Sequence, residues 1–180
     1  MVNKSFTPFP ILTTERLTLR QLSTNDGQSI FALRSDPEIN KYLDRQPSRT
    51  MEDAISFINK INDNIEKNIS IYWAITLTNS QIIVGTICLF DFSDEKNKCE
   101  IGYELLTDFQ GQGIMKEATE EVTGYAFQTM RLQKIEALTH IRNRNSIRFL
   151  TKSGFKKSIE TDNEIPDHNI FTLTNSPDSM

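Results

Sequence analysis

The stretch DFQGQGIMKEATEE, Asp108 to Glu121, sets Gly111 and Gly113 immediately ahead of residues spaced for a helix. A helix begins with backbone N–H groups that lack intrahelical partners, and its dipole favours negative charge at that end. Glycine lets a phosphate approach the backbone because no Cβ stands in the way. The pair reads either as a tight turn or as a cradle for an anion. Two known cradles are excluded. No Gly-Lys-Ser/Thr follows, so this is not a P-loop. GQGIMK lacks the third glycine of the dinucleotide fingerprint, and the strand before it lies mid-chain in an antiparallel run. Other reactive side chains are sparse. His140 and His168 have no matching Cys or Asp cluster, which speaks against a metal site. No nucleophile–base triad is visible, which disfavours a covalent enzyme intermediate.

The patterning around this loop predicts the elements that must hold it. Glu15 to Leu22 alternates as a first strand. STND offers N-caps before GQSIFALRSD, a short helix expected to stop near Pro37. Thr50 and Asp53 form a capping box, and Ala54, Ile55, Ile58, Ile61 and Ile65 follow at helical spacing. ISIYWAITL, IIVGTICLF and CEIGYELL read as three antiparallel strands, with a polar loop DFSDEKNK before the third. After Gly113, the apolar residues Ile114, Ala118, Val122, Tyr125, Ala126 and Met130 mark the buried stripe of a long helix. KIEALTHI follows as a strand parallel to the one before that helix. NSIRFLTKSGF is a short helix with Gly154 as its C-cap, and FKKSIET and NIFTLT are closing strands. The expected fold is α/β (α+β), a mixed, mostly antiparallel sheet of six or seven strands with helices on both faces.

A chain of 180 residues suits one domain, spanning 1–180. The formal charge of −4 and the absence of a basic run argue against nucleic acid as a partner. No segment approaches the roughly 20 apolar residues of a membrane span, and the N-terminus lacks a signal-peptide run. Cys88 and Cys99 suit a reducing cytoplasm and read as free buried thiols.

CEIGYELLTDFQGQGIMKEA, followed by NRNSIRFLTKSGF, resembles the GNAT superfamily of acyl-CoA-dependent N-acetyltransferases. Within it, LTTERLTLRQL, LRSDPEINKYL and the closing DHNIFTL look like the branch of ribosomal-protein N-terminal acetyltransferases, RimJ- and RimL-like. The resemblance covers almost the whole chain. It implies that the backbone of Gln110, Gly111, Gln112, Gly113, Ile114 and Met115 holds the pyrophosphate of acetyl-CoA, the co-substrate. Met115 replaces a small residue there, placing a larger side chain near the cofactor. The resemblance gives Asn143 to the pantetheine arm, against a reading as a loop residue or helix cap. Ser146 is either a helix-start residue or lies near the coenzyme sulfur.

Acetyl transfer from a thioester to an amine needs a proton acceptor, an oxyanion donor and help for the leaving thiolate. Glu100 matches a glutamate that several such enzymes keep on the strand before the loop, and is the candidate base. A solvated carboxylate near Lys98 is the plainer reading, and Glu104 is a second candidate. The oxyanion donor is expected from a backbone N–H near a bulge around Leu105 or Leu106. The family's general-acid tyrosine is missing, because Leu150 holds its place. Ser146 or water then serves, or the thiolate leaves unaided. The acceptor is a primary amine: a protein N-terminal α-amine, or a small molecule such as a polyamine or aminoglycoside. YLDRQPSRTMEDA and TDNEIPDHN are the segments expected to choose it, with Asp44, Glu52, Asp53, Asp162, Glu164 and Asp167 as attractors for a cation. Tyr72, Trp73, Tyr103 and Phe109 either line the acceptor groove or belong to the core. The chain is expected to act as a monomer or homodimer. A non-catalytic acyl-CoA sensor is the alternative of another class.

Overall fold

A computed structural model describes residues 2–159 and 165–175. They build one sheet in the order β1-β2-β3-β4-β5-β6-β8-β7. Its strands are β1 (Leu12–Thr13), β2 (Leu17–Arg20), β3 (Ile71–Leu77), β4 (Ile83–Ser93), β5 (Lys98–Leu105), β6 (Lys134–His140), β7 (Lys156–Lys157) and β8 (His168–Thr174). Every neighbouring pair is antiparallel except β5 and β6. The helices are α1 (Gly27–Ser35), α2 (Pro37–Asn40), α3 (Met51–Glu66), α4 (Ile114–Gln128) and α5 (Arg144–Lys152). The count of eight strands among the described residues exceeds the six or seven expected because β1 is two residues long, too short to show a period, while β7 falls within the expected FKKSIET.

The period-two alternation of the strands sorts the helices onto two faces. Tyr72 and Trp73 are adjacent on β3 and point oppositely. Tyr72 meets Phe57 of α3, and Trp73 meets Tyr125 of α4, each edge to face. α1 and α3 therefore cover one face, and α4 and α5 the other. The core contains Leu17, Leu19, Ile75 and Ile87 beside Trp73, all fully buried.

Local chemistry explains most boundaries. Thr50 Oγ1 accepts from the Asp53 N–H at 3.2 Å, and Asp53 returns a bond to the Thr50 N–H at 3.0 Å. Pro37 ends α1, as expected, but also opens α2 as its first residue. Proline lacks the N–H that a first turn cannot use, and the Asp36 carboxylate caps the next two amides. β4 runs on through the expected polar loop to Ser93, with a bulge after Phe90.

One charged pair anchors β2 to the start of α1. Arg20 grips the Asp26 carboxylate through both terminal nitrogens, at 2.8 and 2.9 Å. Burial works against the Asp26 charge, but the bonds from Arg20 and the Ser23 amide outweigh it and lower its pKa. A lowered carboxylate pKa adds stability above the unfolded-state value, and that stability is lost as pH falls through the folded value. Asp26→Asn should cost about 1.5–3 kcal/mol at neutral pH. Chemical denaturation at neutral and acidic pH should show the gap to wild type closing in acid.

Candidate active site

The sheet opens where the glycine loop meets it. β5 and β6 pair only through Lys98, Cys99 and Glu100, opposite Lys134, Ile135 and Glu136. Beyond Glu100, β5 continues to Leu105 and β6 turns to pair with β8 alone. The two parallel strands diverge into a wedge with its apex at Glu100. On its other edge β5 stays in continuous register with β4. The Leu106 N–H donates to the Val84 carbonyl at 2.9 Å. By alternation, the N–H groups of Tyr103 and Leu105 point away from β4, into the wedge. This corrects the expectation of a bulge at Leu105 or Leu106. The irregularities fall on β4, and the Leu106 N–H is already used. Gly85 allows this packing, since a Cβ there would sit 2.4 Å from the Glu104 carbonyl oxygen.

The glycine loop closes the foot of the wedge. Gly111 and Gly113 both adopt left-handed backbone, φ 74° and 77°, a region costly for other residues. Gly113 is the N-cap of α4, and no side chain caps that end. The first bond of the helix is Glu117 N–H to Gly113 O, so the amides of the first turn stay available to an anion. A Cβ on Gly111 would meet nothing within 4 Å, which marks open space beside the amides. The loop is held from both sides. Gln110 Nε2 donates to the Leu105 carbonyl at 3.1 Å, and Gln112 Nε2 to the Asp108 carbonyl at 2.9 Å. Arg16 reaches the Gln112 carbonyl and pairs with Glu117 at 2.7 Å, while Thr14 also donates to that carboxylate. The Gln110 amide is spent on Thr107, so this residue ties the loop down. Ile114 and Met115 are buried in the core. The larger side chain of Met115 therefore turns inward, which corrects the expectation that it crowds the cofactor.

Alternation divides the chemistry of the wedge between its two faces. Glu100, Gly102 and Glu104 lie on the α1–α3 face, as do Glu136 and His140 of β6. Glu104 is buried and ion-paired to Arg45 at 2.6 Å, with Thr86 Oγ1 donating to it at 3.3 Å. Both oxygens of this second candidate base are thus engaged within the protein. Lys98 lies within reach of the Glu100 charge, as expected, and its ion pair is with Glu136, which Lys134 also binds at 2.7 Å. Glu100 is half-buried at the apex. His140 Nδ1 accepts from the Arg142 N–H at 3.1 Å, so its other nitrogen carries the proton when the ring is neutral.

Ile101, Tyr103 and Leu105 point to the α4–α5 face. There the Tyr103 hydroxyl lies 2.8 Å from Ser146 Oγ, and its ring meets Phe149 edge to face. Burial pushes the Tyr103 phenol up to about 12. Tyr103 is the residue that sequence reasoning left between groove and core; its odd position on β5 gave the face but not the partner. Asn143 is the N-cap of α5, its Oδ1 accepting from the Ser146 N–H at 3.1 Å. Its Nδ2 remains for a ligand. Asn143→Ala should therefore lower stability by about 1 kcal/mol through the lost cap, read as a melting shift. If the amide also holds pantetheine, acetyl-CoA affinity should fall by roughly 0.5–1.5 kcal/mol in calorimetry.

At the far end of β6, described residues from both segments expected to choose the acceptor come together. A cavity of about 380 Å³ is lined by Tyr42, Leu43, Asp44, His140, Asp167 and His168 among others. Tyr42 stacks on His140, which meets His168 edge to face. Asp53 is used up in capping α3. Asp162 and Glu164 lie outside the described residues. Tyr72 and Trp73 are core. Cys88 and Cys99 are free thiols, and burial pushes Cys88 up to about 12. Among the described residues no group of three or more His, Cys, Asp or Glu could hold a metal ion, and no helix is long and apolar enough to cross a membrane.

Known proteins share this fold. Coenzyme A is present in the solved structure of RimL, a ribosomal alpha-N-protein acetyltransferase. That structure superposes with a TM-score of 0.77 at 18% identity, covering 92% of this chain and 98% of its own. The spermidine N(1)-acetyltransferase of Vibrio cholerae is 23% identical over 141 residues, 78% of this chain and 79% of its own. The uncharacterised N-acetyltransferase YoaA of Bacillus subtilis is 33% identical over 149 residues, 83% of this chain and 84% of its own. The family model of the GNAT acetyltransferase domain matches residues 16–156. With that match and that relative, the chain belongs to the GNAT family, and it is an acetyl-CoA-dependent N-acetyltransferase.

Proposed function

We propose that the protein moves the acetyl group of acetyl-CoA onto a protein N-terminal α-amine by direct attack in a ternary complex. The observation that carries this reading is the wedge between β5 and β6, with the uncapped start of α4 at its foot. The amides of Gly111 to Met115 bind the pyrophosphate, with Gln110 fixing the loop. The Asn143 amide contacts the pantetheine arm, and the Leu105 N–H faces the carbonyl oxygen that gains charge. Glu100, on the opposite face from α5, takes the proton from the incoming amine. The new C–N bond forms as the C–S bond breaks, and the electron pair stays on sulfur near the Ser146 hydroxyl.

The peptide acceptor is favoured by the exposed apolar side chains at the far end of β6. Leu43 is 40% exposed and lines the cavity; Ile141, next to His140, is 47% exposed. RimL, similar in fold, acts on a ribosomal protein. A polyamine is the second reading, favoured by Asp44 and Asp167 in the cavity wall and by likeness to the spermidine enzyme. The chain 1–180 acts as one catalytic domain in the cytoplasm, as a monomer or homodimer. Initial rates measured while both substrates are varied should give intersecting lines; parallel lines would mean an acyl-enzyme and contradict direct attack.

A further inference from the structure

The missing general-acid tyrosine leaves a gap at Leu150, which is fully buried. Another tyrosine reaches the same helix from a different element. Tyr103 comes from β5, and its hydroxyl meets Ser146 Oγ in the first turn of α5 at 2.8 Å. The contact is well fixed. Phe149, one turn along α5, packs on the Tyr103 ring, with centroids 4.9 Å apart. The Asn143 cap holds the Ser146 backbone in place.

We propose that Tyr103 is a positioning residue: it donates its hydrogen bond to Ser146 Oγ and thereby leaves the serine hydroxyl hydrogen free to meet the leaving sulfur. A phenol is a stronger donor than an alkanol, so the shared bond runs from tyrosine to serine. A serine oxygen that accepts this bond keeps its own hydrogen for a second partner. Burial holds the Tyr103 proton in place across the working pH range, so the phenol is a fixed donor and does not itself release a proton. No proton crosses the pair during the reaction. As the C–S bond breaks, its electrons stay on sulfur as a thiolate stabilised by the Ser146 O–H, and water protonates it on release. The missing tyrosine is thus answered by a pair, one member on β5 and the other on α5.

The inference rests on the acetyl-transfer reading and is tested within it. Tyr103→Phe keeps the ring against Phe149 and removes only the hydroxyl. Its kcat should fall by about 3- to 10-fold, the worth of one hydrogen bond. KM for acetyl-CoA and the melting temperature should stay close to wild type. Ser146→Ala should also lower kcat, and adding Tyr103→Phe to it should change nothing further, because the tyrosine acts through the serine. Wild-type kcat in Tyr103→Phe would overturn the inference. So would the same fold-loss in the presence and absence of Ser146, or a loss expressed only in KM or melting temperature. A wild-type protein that releases no thiol with any amine would instead sink the underlying reading.

Discussion

Gly113→Val should weaken coenzyme A binding by about 100-fold or more, close to 2.7 kcal/mol, in a protein that still folds. Three effects of the substitution act together at the start of α4. The residue sits at φ 77°, where a β-branched side chain is strained. A Cβ there comes within 3.5 Å of Arg16 Nη2, whose neighbouring nitrogen holds the Gln112 carbonyl. The valine methyls also stand over the first-turn amides that no side chain of the protein caps. The cost in stability is that of one residue in left-handed backbone, of order 1–2 kcal/mol, well short of unfolding. Gly111→Ala separates the effects, since its Cβ meets nothing in the protein. It carries the strain and adds one methyl beside the amides. Calorimetry with coenzyme A, alongside a melting curve, checks both variants. Unchanged affinity in folded Gly113→Val would mean the pyrophosphate lies elsewhere.

Glu100→Gln should lower kcat by roughly 10²–10⁴-fold, the usual contribution of a positioned general base. A protonated amine cannot attack a thioester, and Glu100 stands at the apex of the wedge on the face opposite Tyr103. Glutamine keeps the size and removes the basicity, so acetyl-CoA affinity should hardly change. The acid limb of the kcat profile should alter its shape in the variant, because that limb reports a base that must be ionised. Glu104→Gln gives the contrast. It breaks the buried pair with Arg45, which should cost about 3–5 kcal/mol of stability, so any loss of rate comes with a lowered melting temperature. A Glu100→Gln enzyme with wild-type kcat on its acceptor would remove Glu100 from the mechanism.

The sequence was legible where the physics is local. The box of Thr50 and Asp53 closes over one helical turn, and the glycine loop lies within a few residues of the amides it exposes. The parallel pairing of β5 and β6 followed from a helix joining two strands. What stayed hidden depends on contacts between distant residues. The pair of Tyr103 and Ser146 spans 43 positions. Arg45, in a loop after α2, reaches Glu104 on β5, 59 positions on in sequence, and engages that candidate base in an ion pair. Likewise, the ion pair from Lys98 to Glu136 on the neighbouring strand joins residues 38 positions apart. Met115 was misjudged for a simpler reason. It sits in the first turn of α4, where the helical phase turns its side chain into the core. Pro37 stops one helix, and Ser-Asp-Pro equally spells the capped start of the next.

The central claim is that this wedge acetylates α-amines, and the most direct test follows free thiol and product mass together. Purified protein would be incubated with acetyl-CoA and a panel of peptides with free N-termini, the same peptides with blocked N-termini, spermidine and an aminoglycoside. Thiol release with free-N-terminal peptides, with one acetyl group found on the α-nitrogen, and none with the blocked forms is the predicted result. Turnover confined to spermidine or the aminoglycoside, or no thiol release with any amine in the panel, would contradict it.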